Sequence, residues 1–318
     1  MSESGSASHT QTTIHGPMDC LHRFTFEQLP VRGQWVRLRT GATMGQGQRA
    51  YPAPIHRLLN QMYAAVAMFA DNLKFEGAVA LQSRGDGALI RSLAECREQK
   101  YLRGIAHLND AVQPPLQAAD LAQWLNNGQL ALSLIPPADS QQAPYQGLVP
   151  LQSDSLCANL EAYLHQSEQL PSRIFMAEAE DSVTGLLIQR LPSADKATEI
   201  ALEAEADAWQ TILTLADTVT PEELAGLAPT TLLRRLFAEY PCRLFPPRPL
   251  SFKCSCSREK SDRTLRTLGA EDLQALLEER GDIEVDCEFC GQCYRYDAVD
   301  IGHLIGGTAG ATQPGPLH

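Results

Sequence analysis

"FKCSCSREKSD" at residues 252–262 and "DCEFCGQCYRY" at residues 286–296 together hold five of the nine cysteines of this 318-residue chain. Cys254 and Cys256 are separated by one residue, and Cys287 and Cys290 by two. Thiols at such spacings can bind the same ion. The two stretches therefore decide how the C-terminal part of the chain folds, if the segment between them brings the pairs together.

A helix is predicted between the two cysteine pairs. "AEDLQALLEERGD" (270–282) carries leucines at helical spacing and ends at Gly281, a residue type that commonly stops helices. Four thiolates that converge from two loops can surround Zn²⁺ as a tetrahedron, with Zn–S bonds of about 2.3 Å. Because this module is short and has few large apolar residues, the metal would supply much of its folding energy. We predict one Zn²⁺ per chain, bound by Cys254, Cys256, Cys287 and Cys290.

The same four thiols allow redox chemistry as well as metal binding. Zinc keeps its sulfur ligands as thiolates, which is the form that oxidants attack, and neighbouring thiols are close enough to resolve a sulfenic acid. A disulfide cannot ligate zinc, so oxidation would release the ion and the stability that it supplies. On the residue types alone, a permanently reduced zinc module and a reversible oxidation sensor both remain open.

The composition indicates a protein whose partners are proteins rather than nucleic acids. The formal net charge is −12, whereas affinity for nucleic acids comes largely from Lys and Arg at phosphates. The sequence shows no signal-peptide pattern and no apolar run long enough to span a membrane. We therefore expect an intracellular protein whose thiols stay reduced. The isolated Cys20, Cys96, Cys157 and Cys242 are expected to be buried or half-buried apolar residues.

Residues 19–192 are predicted to form an α+β domain of antiparallel sheets with packed helices. Strands are expected around residues 21–40, with a turn at Arg32-Gly33, and on both sides of a turn at residues 84–87. Two further strands are expected in "SRIFMAEA" and "TGLLIQRLP". A core helix is expected from the apolar spacing between Ile55 and Leu73, and a second helix with Asp154 as its N-cap. Residues 1–18 and 306–318 are polar and aperiodic, so a disordered leader and tail are predicted.

Residues 193–250 are predicted to be a helical linker. The segment from Ser193 to Glu223 has eight acidic residues and one basic residue, and "TPEE" (220–223) is a capping box that starts a helix. The apolar stripe of its first helix is expected to contain Ile200, Trp209, Ile212, Leu213 and Leu215. Such helices could be conditionally folded or could be an ordinary helical linker. Four prolines in "PCRLFPPRPLSF" (241–252) mark a boundary near residue 250, and the zinc-binding module is expected over residues 251–305.

The cysteine stretches and several N-terminal stretches resemble the heat shock protein 33 family of redox-regulated chaperones. "FKCSC" and "CEFCG" match the zinc motif of that family, and "LHRFTFEQLPVRGQWV", "LKFEGAVALQSRGDG", "YQGLVPL" and "SEQLPSRIF" resemble stretches of its N-terminal domain in the same order. The resemblance extends from about residue 21 to residue 304.

The resemblance implies an ATP-independent holdase of the bacterial cytoplasm that is inactive when reduced and zinc-bound. Oxidation would form the disulfides Cys254–Cys256 and Cys287–Cys290, release zinc, unfold the zinc module and destabilise the linker. Apolar surface would then become available to unfolding client proteins, and active members of the family are dimers. Cys293 departs from the four-cysteine pattern and is a candidate auxiliary thiol, either as an alternative ligand or as a resolving thiol.

Two other functional classes compete with this interpretation. A zinc-ribbon adaptor would bind protein or nucleic acid without redox switching, and four basic residues follow the first cysteine pair: Arg258, Lys260, Arg263 and Arg266. A thiol oxidoreductase would place Cys287 and Cys290 at a helix N-terminus in a thioredoxin-like βαβ pattern, which the sequence lacks. We therefore expect a protein that is not an enzyme.

Overall fold

The computed structural model describes residues 19–40, 51–72, 77–115, 121–137, 140–193 and 199–306. The chain divides into two compact units, Met1–Phe252 and Lys253–His318, which we call the first unit and the second unit. The predicted disordered leader and nearly all of the predicted tail lie outside the described residues, as does Leu73 of the predicted core helix. None of the described helices is long and apolar enough to cross a bilayer.

The first unit contains twelve strands and six helices among the residues described. In chain order they are β1 (Cys20–Phe26), β2 (Val31–Arg39), α1 (Ala53–Ala70), β3 (Ala78–Arg84), β4 (Leu89–Arg97), β5 (Tyr101–Leu108), α2 (Leu121–Leu125), β6 (Gln129–Ile135), β7 (Tyr145–Val149), α3 (Leu156–Ser167), β8 (Ser172–Glu178), β9 (Ser182–Arg190), α4 (Glu199–Ala216), α5 (Pro221–Gly226), α6 (Pro229–Leu236), β10 (Cys242–Leu244), β11 (Arg248–Pro249) and β12 (Ser251–Phe252).

The strands form two six-stranded sheets. Sheet 1 has the order β10-β1-β2-β9-β8, with β11 also paired to β1, and all of its pairings are antiparallel. Sheet 2 has the order β12-β5-β4-β3-β6-β7 and is antiparallel except where β12 joins β5. The predicted α+β class with antiparallel sheets is confirmed, and the turn predicted at residues 84–87 joins β3 to β4.

Helix α1 lies between the two sheets and forms the main core. It contacts β2 and β9 of sheet 1 and β3, β4 and β5 of sheet 2. Every residue from Met62 to Ala70 is buried, as expected for a helix that is apolar on all sides. Strand residues such as Val36 and Leu81 complete this core, together with Leu160 of α3. The core helix predicted from the apolar spacing is thus confirmed over its described length.

Helices α4, α5 and α6 pack on the other face of sheet 1. On that face the strands present an apolar surface, which we call the covered face: Phe24, Phe26, Val31, Trp35, Phe175, Ala177, Leu186 and Ile188. The helices bury Trp209, Ile212, Leu224, Leu232 and Leu236 against it. Sheet 1 is therefore apolar on both faces, with a helix layer on each.

Three local predictions are corrected by the structure. The turn between β1 and β2 lies at residues 27–30, not at Arg32-Gly33, because Gly33 sits within β2 opposite Phe24. A Cβ atom at Gly33 would lie 2.1 Å from the Phe24 ring, so this glycine is required by packing rather than by a turn.

The other two corrections concern helices. The N-cap of α3 is Ser155, whose hydroxyl accepts from the Ala158 amide, rather than Asp154. In α4 the predicted stripe is confirmed for Trp209 and Ile212, but Ile200 is 80% exposed. The "TPEE" capping box is present at the start of α5.

The second unit is small and contains three helices and one hairpin among its described residues. They are α7 (Arg258–Arg266), α8 (Ala270–Arg280), β13 (Ile283–Asp286), β14 (Cys293–Tyr296) and α9 (Ala298–Gly306). The predicted helix between the cysteine pairs is α8, which ends at Gly281 with a φ of +81°. The core of the second unit consists of six buried apolar residues among those described: Leu265, Leu273, Ile283, Tyr296, Ile301 and Leu304.

Candidate metal centre

Two loops of the second unit position the four predicted cysteine ligands. Cys254 and Cys256 lie in the loop that precedes α7. Cys287 and Cys290 lie in the turn of the β13–β14 hairpin, where the Cys287 amide donates to the Gln292 carbonyl (2.9 Å). Gly291 has a φ of +68° in this turn, a conformation that glycine adopts without strain.

The four sulfur atoms converge on one point. All four Sγ atoms lie within 4.8 Å of one another, and the Cys254–Cys287 and Cys256–Cys290 distances are both 3.5 Å. A tetrahedron with Zn–S bonds of about 2.3 Å has S–S edges of about 3.8 Å. The cluster therefore has the dimensions of a closed four-thiolate site. Within the described ranges no other group of three or more His, Cys, Asp or Glu side chains is placed to hold a metal ion.

The donor set limits the metals that fit. Four sulfur donors without imidazole or carboxylate suit soft or borderline ions such as zinc or iron, and disfavour magnesium and calcium. All four side chains are half-buried, so the centre is shielded from solvent without being inaccessible to small oxidants. The residues present therefore fit a structural metal of the zinc type.

Hydrogen bonding distinguishes Cys256 from its neighbours. Desolvation raises the pKa of the Cys254 and Cys290 thiols in the absence of metal. For Cys256, desolvation also acts to raise the pKa but is outweighed by hydrogen bonds from Tyr294 and the other thiols, which lower it. Cys256 is thus the sulfur whose negative charge the protein itself stabilises most clearly.

Tyr294 is a candidate functional residue that the sequence patterns did not predict. Its hydroxyl donates to Cys256 Sγ at 3.2 Å, while its ring packs against the core of the second unit. A donor to a metal-binding sulfur orients that ligand and tunes its basicity. The sequence contains one indication of this role: Tyr294 and Tyr296 are two residues apart in a short strand, a spacing that places both rings on the same face of the hairpin.

A polar cluster beside the centre joins three elements of the second unit. The Arg258 guanidinium lies 4.3 Å from the centroid of the Tyr296 ring and pairs with Asp300 at 2.6 Å. The Tyr296 hydroxyl donates to Asp262 at 2.8 Å. These contacts link α7, β14 and α9, and they engage Arg258 inside the unit. Arg258, the first of the four basic residues that would favour nucleic-acid binding, is therefore engaged in contacts within the second unit.

Cys293 lies outside the four-sulfur group. It is the first residue of β14 and is paired with Asp286 across the hairpin. A hydrogen bond with the Asp286 carboxylate raises the pKa of its thiol. The proposed auxiliary role of Cys293 therefore stays a prediction.

The four isolated cysteines are buried or half-buried, as predicted. Cys20 and Cys96 are buried, and Cys157 and Cys242 are half-buried. Desolvation raises the pKa of Cys20 to about 11 and that of each of the other three to about 12. All four are therefore protonated thiols at neutral pH, and poor nucleophiles.

Comparison with known proteins gives a consistent result. The model of the family described as Hsp33 protein matches residues 19–297. Curated proteins named 33 kDa chaperonin from Ectopseudomonas mendocina and Azotobacter vinelandii are each 41% identical to this chain, over 93% and 92% of it and 98% and 97% of their own lengths. The crystal structure of the 33 kDa chaperonin (heat shock protein 33 homolog) of Thermotoga maritima has a TM-score of 0.75 at 21% identity, covering 92% of this chain and 99% of that chain.

Proposed function

The chain belongs to the Hsp33 family, and we propose that this chaperone is switched on by oxidation of a zinc centre. Its ligands would be Cys254, Cys256, Cys287 and Cys290. The family consists of chaperones rather than enzymes, so the thiol oxidoreductase hypothesis is dropped. The observation that carries the proposal is the convergence of four half-buried sulfurs in a unit whose own apolar core is small.

The residues of the second unit would hold the reduced state. When bound, Zn²⁺ would keep the four sulfurs as thiolates and supply folding energy to the unit. The loop before α7 and the hairpin turn present the sulfurs, and Tyr294 orients Cys256. A core of six buried side chains is marginal for a domain of this size.

Oxidation would remove the ligands. With hydrogen peroxide as the oxidant, a thiolate attacks the O–O bond, becomes a sulfenic acid and releases hydroxide. A second thiol then attacks that sulfur, the disulfide forms, and water leaves with the sulfenic oxygen. Formation of each disulfide thus removes two electrons from the two sulfurs and reduces one peroxide to one water and one hydroxide, which takes a proton from solvent to become the second water. We propose the pairs Cys254–Cys256 and Cys287–Cys290, as the resemblance implies.

The output of the switch would be the covered face of the first unit. Once the second unit has lost its ion and unfolded, α4, α5 and α6 would leave sheet 1 and its apolar residues would bind unfolding client proteins. The acidic composition of the helices supports this, because they can stay in solution when released. Residues 193–250 are then a conditionally folded linker, and we expect the active form to be a homodimer in the bacterial cytoplasm.

A comparison of the reduced and oxidised protein tests this function. Zinc-loaded, dithiothreitol-treated protein should protect thermally unfolding malate dehydrogenase from aggregation poorly, as measured by light scattering. Peroxide with mild heating should convert it to an efficient suppressor and release one zinc per chain to a chromogenic chelator. Equal protection by the two forms would show that there is no switch.

Peptide mapping of the oxidised protein tests the disulfide assignment. We expect fragments that join Cys254 to Cys256 and Cys287 to Cys290. The shortest sulfur distances run between the loops rather than within them, so a crossed pairing is the outcome that would replace the assignment. The Cys293→Ser variant tests the auxiliary role of that thiol: unchanged zinc content and switching would limit the chemistry to the other four cysteines.

A further inference from the structure

Arg37 is a buried cation on the covered face. It lies in β2, where its cross-strand neighbours are Cys20 and Thr184, and only 9% of its surface is exposed. The guanidinium lies 4.8 Å from the centroid of the Trp35 ring. A largely apolar surface thus carries a positive charge on its middle strand.

The helix layer supplies the hydrogen-bond acceptors that this cation requires. Arg37 Nη2 donates to the main-chain carbonyls of Ala225 (2.6 Å) and Leu227 (3.0 Å), and Nε donates to Thr184 Oγ1 (3.1 Å). Among the described residues, no carboxylate oxygen lies within 4.0 Å of the guanidinium. The guanidinium is therefore hydrogen-bonded chiefly by carbonyl groups at the C-terminal end of α5, where cations are favoured. Desolvation lowers the pKa of Arg37, and the charge of Asp181 opposes that lowering from a greater distance.

Burial of this cation by another occupant would impose the same requirement. A buried charge without hydrogen-bond acceptors is strongly destabilising, so an occupant that offers only apolar side chains would bind poorly over Arg37. The main-chain carbonyls of a folded protein are already paired within that protein, whereas those of an unfolding chain or a frayed helix end are bonded only to water and can be taken up by Arg37.

We propose that Arg37 is the recognition centre of the client site: it makes the uncovered face selective for apolar segments that present unpaired main-chain carbonyls. In the closed state the end of α5 occupies this position as a stand-in for a client. The inference rests on the proposed function, since it requires that the helices leave the face. It assigns to Arg37 a specificity that apolar area alone would not give.

The substitution Arg37→Met tests the proposal in both states of the protein. In the reduced protein, loss of the donors should loosen α5 and speed hydrogen exchange of the amides of residues 221–236. In the oxidised protein, a fluorescein-labelled peptide of residues 219–240 should bind on the order of tenfold more weakly, as expected for loss of a charged hydrogen bond. Binding of Nile red, a neutral apolar probe without a peptide backbone, should not fall.

Two further variants separate recognition from structural damage. Arg173 holds α4 to β8 through Asp217 (2.8 Å) but is 39% exposed at the rim, so Arg173→Met should loosen the helices in the reduced state and leave peptide affinity in the oxidised state unchanged. Arg37→Lys keeps the charge and should retain part of that affinity. Circular dichroism of each variant checks that sheet 1 is intact.

The outcomes distinguish this inference from the proposed function. If oxidised wild-type protein protects clients while oxidised Arg37→Met binds the peptide as tightly as wild type, the role of Arg37 is wrong and the proposed function stands. If Arg37→Met lowers Nile red and peptide binding in equal proportion, the residue only supports the surface, and the proposal is again wrong. Failure of oxidised wild-type protein to protect clients would overturn the proposed function itself.

Discussion

The core around α1 and the core of the second unit differ in what holds them together. Among the residues that the structure describes, the first contains 36 buried apolar residues contributed by both sheets and by α1, α2 and α3, whereas the second contains six. At about 1.5–3 kcal/mol for each fully buried large apolar side chain, the first core gains far more stability from apolar burial than the second. We therefore expect the first unit to hold its fold by apolar packing alone, and the second unit to require the proposed metal ion.

Removal of the metal should produce the largest difference between the two units, because it should unfold the second unit and leave the first unit folded. A strong zinc chelator, or the substitution Cys256→Ser, should unfold residues 253–306 because the metal contributes about 10–16 kcal/mol in structural sites of this type. Amide signals of the second unit should collapse to random-coil positions in a two-dimensional NMR spectrum, while those of the first unit stay dispersed. A second unit that stays folded without metal would show that its six-residue core suffices.

Matched leucine-to-alanine substitutions should separate global unfolding of the α1 core from local unfolding of the helices on the covered face. Leu59 of α1 and Leu232 of α6 are both fully buried, and Leu→Ala at either site should cost about 2–5 kcal/mol. Leu59→Ala should lower the denaturant midpoint of the whole first unit. Leu232→Ala should instead speed hydrogen exchange in residues 199–236 and leave the amides of sheet 1 protected.

Equal behaviour of the two variants would contradict this expectation. If Leu232→Ala lowers the stability of sheet 1 as much as Leu59→Ala does, the helices and the sheet form one cooperative structure and no local release occurs. If Leu232→Ala leaves exchange in α4, α5 and α6 unchanged, the helices are held more firmly than a conditional linker allows.

Removal of one hydroxyl beside the metal centre should have an intermediate effect. Tyr294→Phe deletes the donor to Cys256 and should weaken zinc binding about 10–100-fold, the usual cost of losing a hydrogen bond to a metal ligand. With Co²⁺ in place of zinc, the sulfur-to-metal charge-transfer band should also shift. Tyr296→Phe is the control, because its hydroxyl binds Asp262 rather than sulfur. An unchanged band in Tyr294→Phe would show that the hydrogen bond does not reach the metal site.

Chemical labelling should reveal the smallest difference between the two units, namely the reactivity of their cysteines. At pH 7, N-ethylmaleimide should modify Cys254, Cys256, Cys287 and Cys290 in metal-free protein, because the second unit is expected to unfold without its ion and to expose these thiols to solvent. Peptide mass spectrometry reads the labelled positions. The isolated cysteines should stay unmodified while the first unit is folded, because desolvation raises the pKa of Cys96, for example, to about 12 and keeps it a thiol. Rapid labelling of Cys96 in the native protein would mean that the α1 core opens far more often than its packing suggests.

Local patterns predicted most of the elements, and tertiary contacts explain the exceptions. The apolar spacing of α1 and the capping box of α5 are written in neighbouring residues, so both could be predicted. The role of Gly33 could not, because it depends on the Phe24 ring from the neighbouring strand. The spacing of the cysteines predicted the sulfur cluster, but the donor from Tyr294 depends on where the hairpin places its ring. The acceptors of Arg37 come from about 190 residues further along the chain.

The pairing of β2 with β9 has a consequence for the synthesis of the chain on the ribosome. Val31 is matched with Arg190, and Arg39 with Ser182, so sheet 1 cannot close until β9 has emerged. The covered face of sheet 1 is therefore not assembled while most of the first unit is being synthesised. The helices that cover it are encoded directly after β9, and at roughly 5–20 residues per second they follow within about ten seconds. The order of the elements along the chain thus shortens the time for which the nascent protein exposes the apolar covered face to solvent.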